Sequence, residues 1–254
     1  MSNRSIEFAG NAMDLHPSGA LYWREQAALV VGDLHFEKAS SYHRSGQFLP
    51  PYDTAETLRR LAEALTCFAP QRLILLGDVF HDGAAWERMA QADRDRLSRI
   101  VDAVETIWVE GNHDAHFVPP GQTSHAVYRL GGITFRHIME EAGDVPEISA
   151  HYHPAAVIRH RGARLRRACF VCTQHRLLLP AFGAFTGGLD VCDGKQGCLC
   201  CAAGAGRRLG RTHGANHLFK ECRTCLKLCN LDEFVRLMRL CDAAGPANNS
   251  RIAA

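Results

Sequence analysis

The chain has 254 residues, 46% of them hydrophobic, with 29 Lys and Arg against 27 Asp and Glu for a formal net charge of +2. That is long and apolar enough for one sizeable α/β domain, or a domain with an appendage, and it excludes a disordered chain; the charge argues neither for nor against a polyanionic partner, so any basic surface must be local. The first twenty residues carry Glu7, Asp14 and His16 and no segment reads as a membrane span, so a cytoplasmic protein is expected.

In chain order, AALVV at 27–31 is a short run rich in branched residues and reads as a buried strand; it runs into Gly32-Asp33-Leu34-His35. Leu58, Leu61, Ala62 and Leu65 then mark one face of a helix, with Asp53 and Glu56 as a capping box behind Pro50 and Pro51. RLILL at 72–76 is the next strand and leads into Gly77-Asp78-Val79-Phe80-His81-Asp82. A second helix face, Leu97, Ile100, Val101 and Val104, precedes TIWV at 106–109, which ends in Gly111-Asn112-His113-Asp114. Later, ITFR ends in His137 and EISA ends in His151-Tyr152-His153-Pro154.

Strands alternating with helices imply parallel crossovers, with ligands bound at the carboxyl ends of the strands. Any one of these polar clusters is also what a turn requires, Gly for positive φ and Asp or Asn for a cap. Turn chemistry gives no reason for a histidine at every strand end, so the five ends are expected to converge on one site. Asp33 and His35 are two residues apart, as are His151 and His153, and in extended backbone that spacing puts both side chains of a pair on one face.

Seven candidate ligands result: Asp33, His35, Asp78, Asn112, His137, His151 and His153. They are too many for one ion and suit two divalent ions sharing a carboxylate and a water. Imidazole and carboxylate without thiolate favour Mn²⁺, with Fe or Zn²⁺ possible, over the all-oxygen sites of Mg²⁺ and Ca²⁺. Two such ions carry twice the charge that the two carboxylates return, so the cleft favours an anionic phosphate ester. Ions about 3.5 to 4 Å apart activate a bridging hydroxide for attack on phosphorus. His113 is the natural general acid for the leaving oxygen, with Asp114 expected to orient its ring.

These residues resemble the calcineurin-like metallophosphoesterases, whose pattern of D-x-H, G-D, G-N-H-[DE], a lone H and G-H-x-H stands here as Asp33/His35, Gly77-Asp78, Gly111 to Asp114, His137 and His151/His153. The resemblance implies a four-layer α/β/β/α sandwich of two mixed sheets. It also implies a first metal on Asp33, His35, Asp78 and His153, and a second on Asp78, Asn112, His137 and His151. Ala150 stands where Gly usually precedes the last His pair, and a small backbone adjustment without loss of a ligand is expected.

The stretches EKASSYHRSGQFLPPYDT and LPAFGAFTGGLDV are similar, more narrowly, to bacterial members encoded beside a DNA ligase and a helicase and associated with DNA repair. That similarity implies a phosphodiesterase or nuclease acting on DNA or another phosphodiester, with ligase and helicase as repair partners. Arg159 and Arg161, in an arginine run with Arg164, Arg166 and Arg167, are candidate phosphate contacts, though such a run also suits a solvated hairpin tip. Arg44, after the first motif, is a further candidate. The rival readings are a small-nucleotide phosphodiesterase or phosphatase on the same metal core, and a non-catalytic scaffold of the same fold, which the presence of His113 and all the ligands disfavours.

The domain is expected to span 1–191. Eight of the eleven cysteines lie beyond it, in a divergent Cys/Gly/Arg-rich tail, 192–254, expected to be poorly ordered. A zinc site on its cysteines and a shifted reading frame in the source sequence are the alternatives there. Cys169 and Cys172 read as structural residues on opposite faces of a strand.

Overall fold

The branched runs and the amphipathic segments between them form the expected strands and helices. A computed structural model describes residues 4–114, 117–140, 144–160 and 163–190, with the backbone alone for 157–160, 163–165, 167 and 189–190. The chain opens with β1 (Arg4–Phe8), β2 (Asn11–Leu15) and β3 (Leu21–Trp23), which lead into β4 (Ala28–Val31). Then follow α1 (Lys38–Arg44), α2 (Asp53–Phe68), β5 (Arg72–Leu76), α3 (Ala85–Arg88), α4 (Gln91–Asp102), β6 (Glu105–Val109) and β7 (Ser124–His125). These seven strands form one mixed sheet in chain order, antiparallel from β1 to β4 and parallel from β4 to β7.

The second half supplies β8 (Tyr128–Leu130), β9 (Ile133–Phe135), β10 (Glu147–Ser149), the hairpin β11 (Pro154–His160) and β12 (Ala163–Ala168), then β13 (Val171–Cys172), β14 (Arg176–Leu178) and β15 (Leu189–Asp190). A second mixed sheet runs β13-β14-β10-β9-β8, and a three-stranded sheet runs β12-β11-β15.

The central strands are apolar on both faces because both are covered. Val30, Ile74, Leu76, Ile107 and Val109 face Ile133, Phe135, Ile148 and Leu177 of the second sheet. Their neighbours Leu29, Val31, Leu73, Leu75 and Trp108 face Leu58 and Leu61 of α2 and Leu97 and Val101 of α4. Two mixed sheets therefore pack face to face with helices outside the first. Among the described residues no helix covers the far side of the second sheet, where Val171 and Leu178 instead pack on Ala156 of β11. Cys169 and Cys172 pack into different apolar clusters, but CFVC is not one strand: Cys169 lies between β12 and β13 and only Cys172 belongs to β13.

One local expectation fails. Tyr52, not Asp53, is the N-cap of α2; the Asp53 carboxylate reaches across to accept the Ala39 N–H at 2.9 Å, so it ties α2 to the start of α1. Glu56 pairs instead with Arg59 at 2.7 Å. The cysteine-rich tail from 192 to 254 and its zinc alternative lie outside the described residues.

Candidate metal centre

Parallel register aligns the ends of β4, β5 and β6, with Val31 opposite Leu75 and Leu76 opposite Val109. Beyond these ends the first two loops run side by side: Asp33 N–H donates to Gly77 O at 3.1 Å, His35 N–H to Asp78 O at 2.9 Å and Phe36 N–H to Val79 O at 2.8 Å. Within the second sheet, Ala150 N–H donates to His137 O at 3.0 Å, which sets the ends of β9 and β10 level. The expected convergence of five strand ends is what the backbone builds.

The loop backbone is not extended, contrary to the spacing argument. Asp33 (φ 54°), His35 (φ 46°), Asp78 (φ 47°), His151 (φ 67°) and His153 (φ 44°) are all left-handed. For residues with a Cβ this costs about 1–2 kcal/mol each, a strain that concentrates where side chains must be aimed. The consequence differs for the two pairs. Asp33 and His35 still share a group, with His153, whereas His151 turns away to join Asp78 and His137; in each group the donor atoms lie within 4.8 Å of one another. The last His pair is thus divided between two clusters.

Within the first cluster His153 Nε2 is 3.1 Å from Asp33 Oδ1 and 3.3 Å from His35 Nε2. In the second, His137 Nε2 is 3.2 Å from Asp78 Oδ2 and 3.1 Å from Asn112 Oδ1. Asp78 lies between them, its Oδ2 also 3.8 Å from His35 Nε2. Leu76 O accepts the Nδ1–H of His137 at 3.1 Å, which leaves the Nε2 lone pair free to coordinate a cation. The other carboxylate oxygens are held by backbone: His151 N–H donates to Asp33 Oδ2 and His113 N–H to Asp78 Oδ1, each at 2.9 Å.

These residues fit a pair of divalent cations. Asp33 Oδ1 is buried without a hydrogen-bond partner, and two imidazole nitrogens, of His35 and His153, confront one another beside it. A cation among them satisfies all three. Burial pushes the His35 imidazole down to about 2, countered only in part by Asp78, and pushes His151 down as well, so both are neutral donors. Burial would raise the Asp78 carboxyl, but the hydrogen bond and charge of His137 and the His113 N–H outweigh it and hold it well below the usual carboxylate range.

Glycine makes the close approach possible. A Cβ on Gly77 (φ +74°) would fall 2.3 Å from His137 Nδ1, and one on Gly111 would fall 2.1 Å from Asp78 N. The Ala150 departure is accommodated in the same way: its methyl packs where a Cβ on Gly32 would come within 2.6 Å, so the pair has room for one methyl and His151 and His153 stay in place.

His113 stands at the mouth with its side chain 42% exposed and Nε2 4.0 Å from Asp78 Oδ2. Its ring is not oriented by Asp114. His81 O accepts the His113 Nδ1–H at 2.8 Å, while Asp114 is buried and accepts the N–H groups of Val79 (2.6 Å), Phe80 (3.1 Å) and Gly111 (3.2 Å). Asp114 therefore knits the second and third loops together. Spacing alone favoured it as the ring's partner because it adjoins His113, but adjacency in a tight turn sends the two side chains apart.

His81, which is not among the seven candidate ligands, lies against the same cluster. Its ring stacks on His113 at 5.3 Å, and its Nδ1 is 3.3 Å from His35 Nδ1. Burial lowers its pKa to about 4. Its neighbour Asp82 accepts Ala84 N–H and a bidentate pair from Arg88 ahead of α3. The signal for His81 was a further histidine just past the β5 strand end. Of the candidate phosphate contacts, Arg44 is exposed at the end of α1, and Arg159 lies on β11 opposite Arg164 with its backbone alone described. Arg161 lies outside the described residues.

Two facing mixed sheets whose strand ends bring together two His/Asp clusters define a metallophosphoesterase architecture. The chain belongs to the calcineurin-like phosphoesterase family, whose model matches residues 28–163, and it is a metal-dependent hydrolase. Among solved structures it is similar to Pseudomonas putida nuclease MPE, at 34% identity over 74% of this chain and 91% of that one, with a TM-score of 0.61. The E. coli phosphoesterase Yfce is more distant, at 16% identity over 64% of this chain and 83% of that one, with a TM-score of 0.33. No curated protein matches.

Proposed function

We propose that the protein is a dinuclear phosphodiesterase of the nuclease type, acting on DNA in repair, with Mn²⁺ as its metal and His113 as general acid. The observation that carries the reading is the pair of donor clusters on either side of Asp78 with His113 exposed at their mouth. The similarity to a nuclease supports the substrate class. A cytoplasmic setting beside a DNA ligase and helicase belongs to the same proposal.

Asp33, His35, Asp78 and His153 would hold one ion, and Asp78, Asn112, His137 and His151 the other. When bound, the ions supply Lewis-acid chemistry, a water of lowered pKa and charge compensation at phosphorus. The chain's own residues do the rest. With Nδ1–H fixed on His81 O, the protonated His113 ring can give up only its Nε2 proton, and that atom points into the open site. The leaving oxygen takes this proton, and solvent returns it through the exposed face of the ring.

Removing a general acid costs about 10²- to 10⁴-fold in turnover. His113→Ala is therefore expected to keep metal stoichiometry and lose turnover by that factor, whereas Asp78→Ala loses the metal. Metal loss in both variants would contradict the assignment. Comparing Mn²⁺-dependent hydrolysis of a diester, a monoester and DNA by the wild-type protein tests the substrate class, and a preference for the monoester would replace the nuclease with a phosphatase.

A further inference from the structure

The described residues leave few large apolar side chains exposed, and two of them, Phe48 (84% exposed) and Tyr52 (48%), share the loop between α1 and α2. Both ends of this loop are joined to the metal centre. At its start the Tyr42 ring lies 5.7 Å from that of His81, which in turn stacks on His113. The Ser45 and Gln47 N–H groups bond Tyr42 O, and His43 Nε2–H donates to Leu49 O at 3.1 Å, closing a turn with Phe48 edge-on to His43 at 5.1 Å. At its end Tyr52 meets Phe185 edge-on, with ring centroids 5.5 Å apart.

Phe185 is tied to the centre through the backbone of two ligands. Gly183 N–H donates to Asp33 O at 3.0 Å, and a Cβ on Gly188 would fall 2.5 Å from His153 O. Between these anchors Phe185 is held in left-handed backbone, φ 58°, a conformation costly for an aromatic residue and found where a site requires it. This partly buried ring belongs to none of the hydrophobic core clusters.

We infer that Tyr52 and Phe185, extended by Phe48, form a nucleobase-stacking subsite beside the scissile phosphate. The inference rests on the diesterase reading above. An aromatic face stacks on any base, and the neighbouring cations suit a polynucleotide backbone: Arg44 is exposed at the end of α1, just before this loop, and on the same helix the Lys38 ammonium lies 5.8 Å from the Tyr42 ring centroid. Exposed aromatics also serve protein partners. Anchoring to the Asp33 and His153 peptide units, and to His113 through the Tyr42 and His81 rings, sets this surface along the substrate's path.

The test is the affinity of the full-length protein, without added metal, for fluorescein-labelled oligothymidylate and for an abasic strand of equal length, read by fluorescence anisotropy. Tyr52→Ala and Phe48→Ala should each weaken oligothymidylate binding about tenfold and leave the abasic strand unaffected. Tyr52→Trp should restore it, and Phe185→Gly, which removes the ring and relieves the backbone, should match the alanine variants. Equal losses on both strands, or no loss on either, overturn the subsite; the second result would assign the rings to a protein partner. Hydrolysis of bis(p-nitrophenyl) phosphate by the wild-type protein is measured in parallel. Its absence would defeat the diesterase reading while the anisotropy still decides the stacking.

Discussion

Gly77 illustrates how a single atom decides the site. Its missing Cβ is the space that His137 fills, and its positive φ turns the chain so that Asp78 faces both clusters. Gly77→Ala is expected to lower metal stoichiometry, measured by elemental analysis, and to reduce stability by about 1–3 kcal/mol. Asp114 separates two roles that adjacency confuses. Asp114→Asn turns an amide toward backbone N–H donors and should cost about 1–3 kcal/mol in denaturant melts, while turnover per folded, metal-loaded molecule is retained. A loss as deep as that of His113→Ala would restore the ring-orienting role. Asp82 gives a pH dependence. Hydrogen bonds from Arg88 hold its pKa at about 2, below the ordinary 3.8. A depressed carboxyl stabilises the fold above its ordinary value and loses that contribution as pH falls toward the folded one. The stability difference between wild type and Asp82→Asn should therefore shrink between about pH 4 and pH 2.

At the scale of elements, the longest apolar and amphipathic runs were read correctly. β4, β5 and β6 are continuous apolar runs, and α2 and α4 are long enough to show a helical period. Leu75→Ala, in the central strand and fully buried against the helices, should cost about 2–5 kcal/mol by chemical denaturation. The N-terminal ribbon was passed over. Its signal is a two-residue hairpin loop, Ala9 (φ 51°) and Gly10 (φ 75°), joining Phe8 to Asn11 in a twist suited to antiparallel strands. β7, β13 and β15 have two residues each, too few for any period to show, and exist because neighbouring strands offer them hydrogen bonds. The Asp53 capping box failed because the carboxylate found a donor on another helix.

For the molecule as a whole, metal and fold are linked. Ligands drawn from both sheets mean that bound metal favours the folded state, so Mn²⁺ should raise the melting temperature and a chelator should reverse the rise and abolish turnover. Every donor in the two clusters precedes residue 154, so a chain ending at 191 is expected to keep both metal stoichiometry and diester hydrolysis. The sequence by itself determined the strand ends and the seven candidate donors with His113 beside them, because a ligand must be a particular residue type and a strand end is marked by where an apolar run stops. The family resemblance already implied that His151 and His153 fall in different sets, and only the tertiary structure decided how the backbone parts them. The separation of His151 from His153, the hold of His81 O on His113 and the turning of Asp114 onto three backbone amides depend on left-handed loop residues and on contacts between segments distant in the chain. Residue spacing carries no record of either.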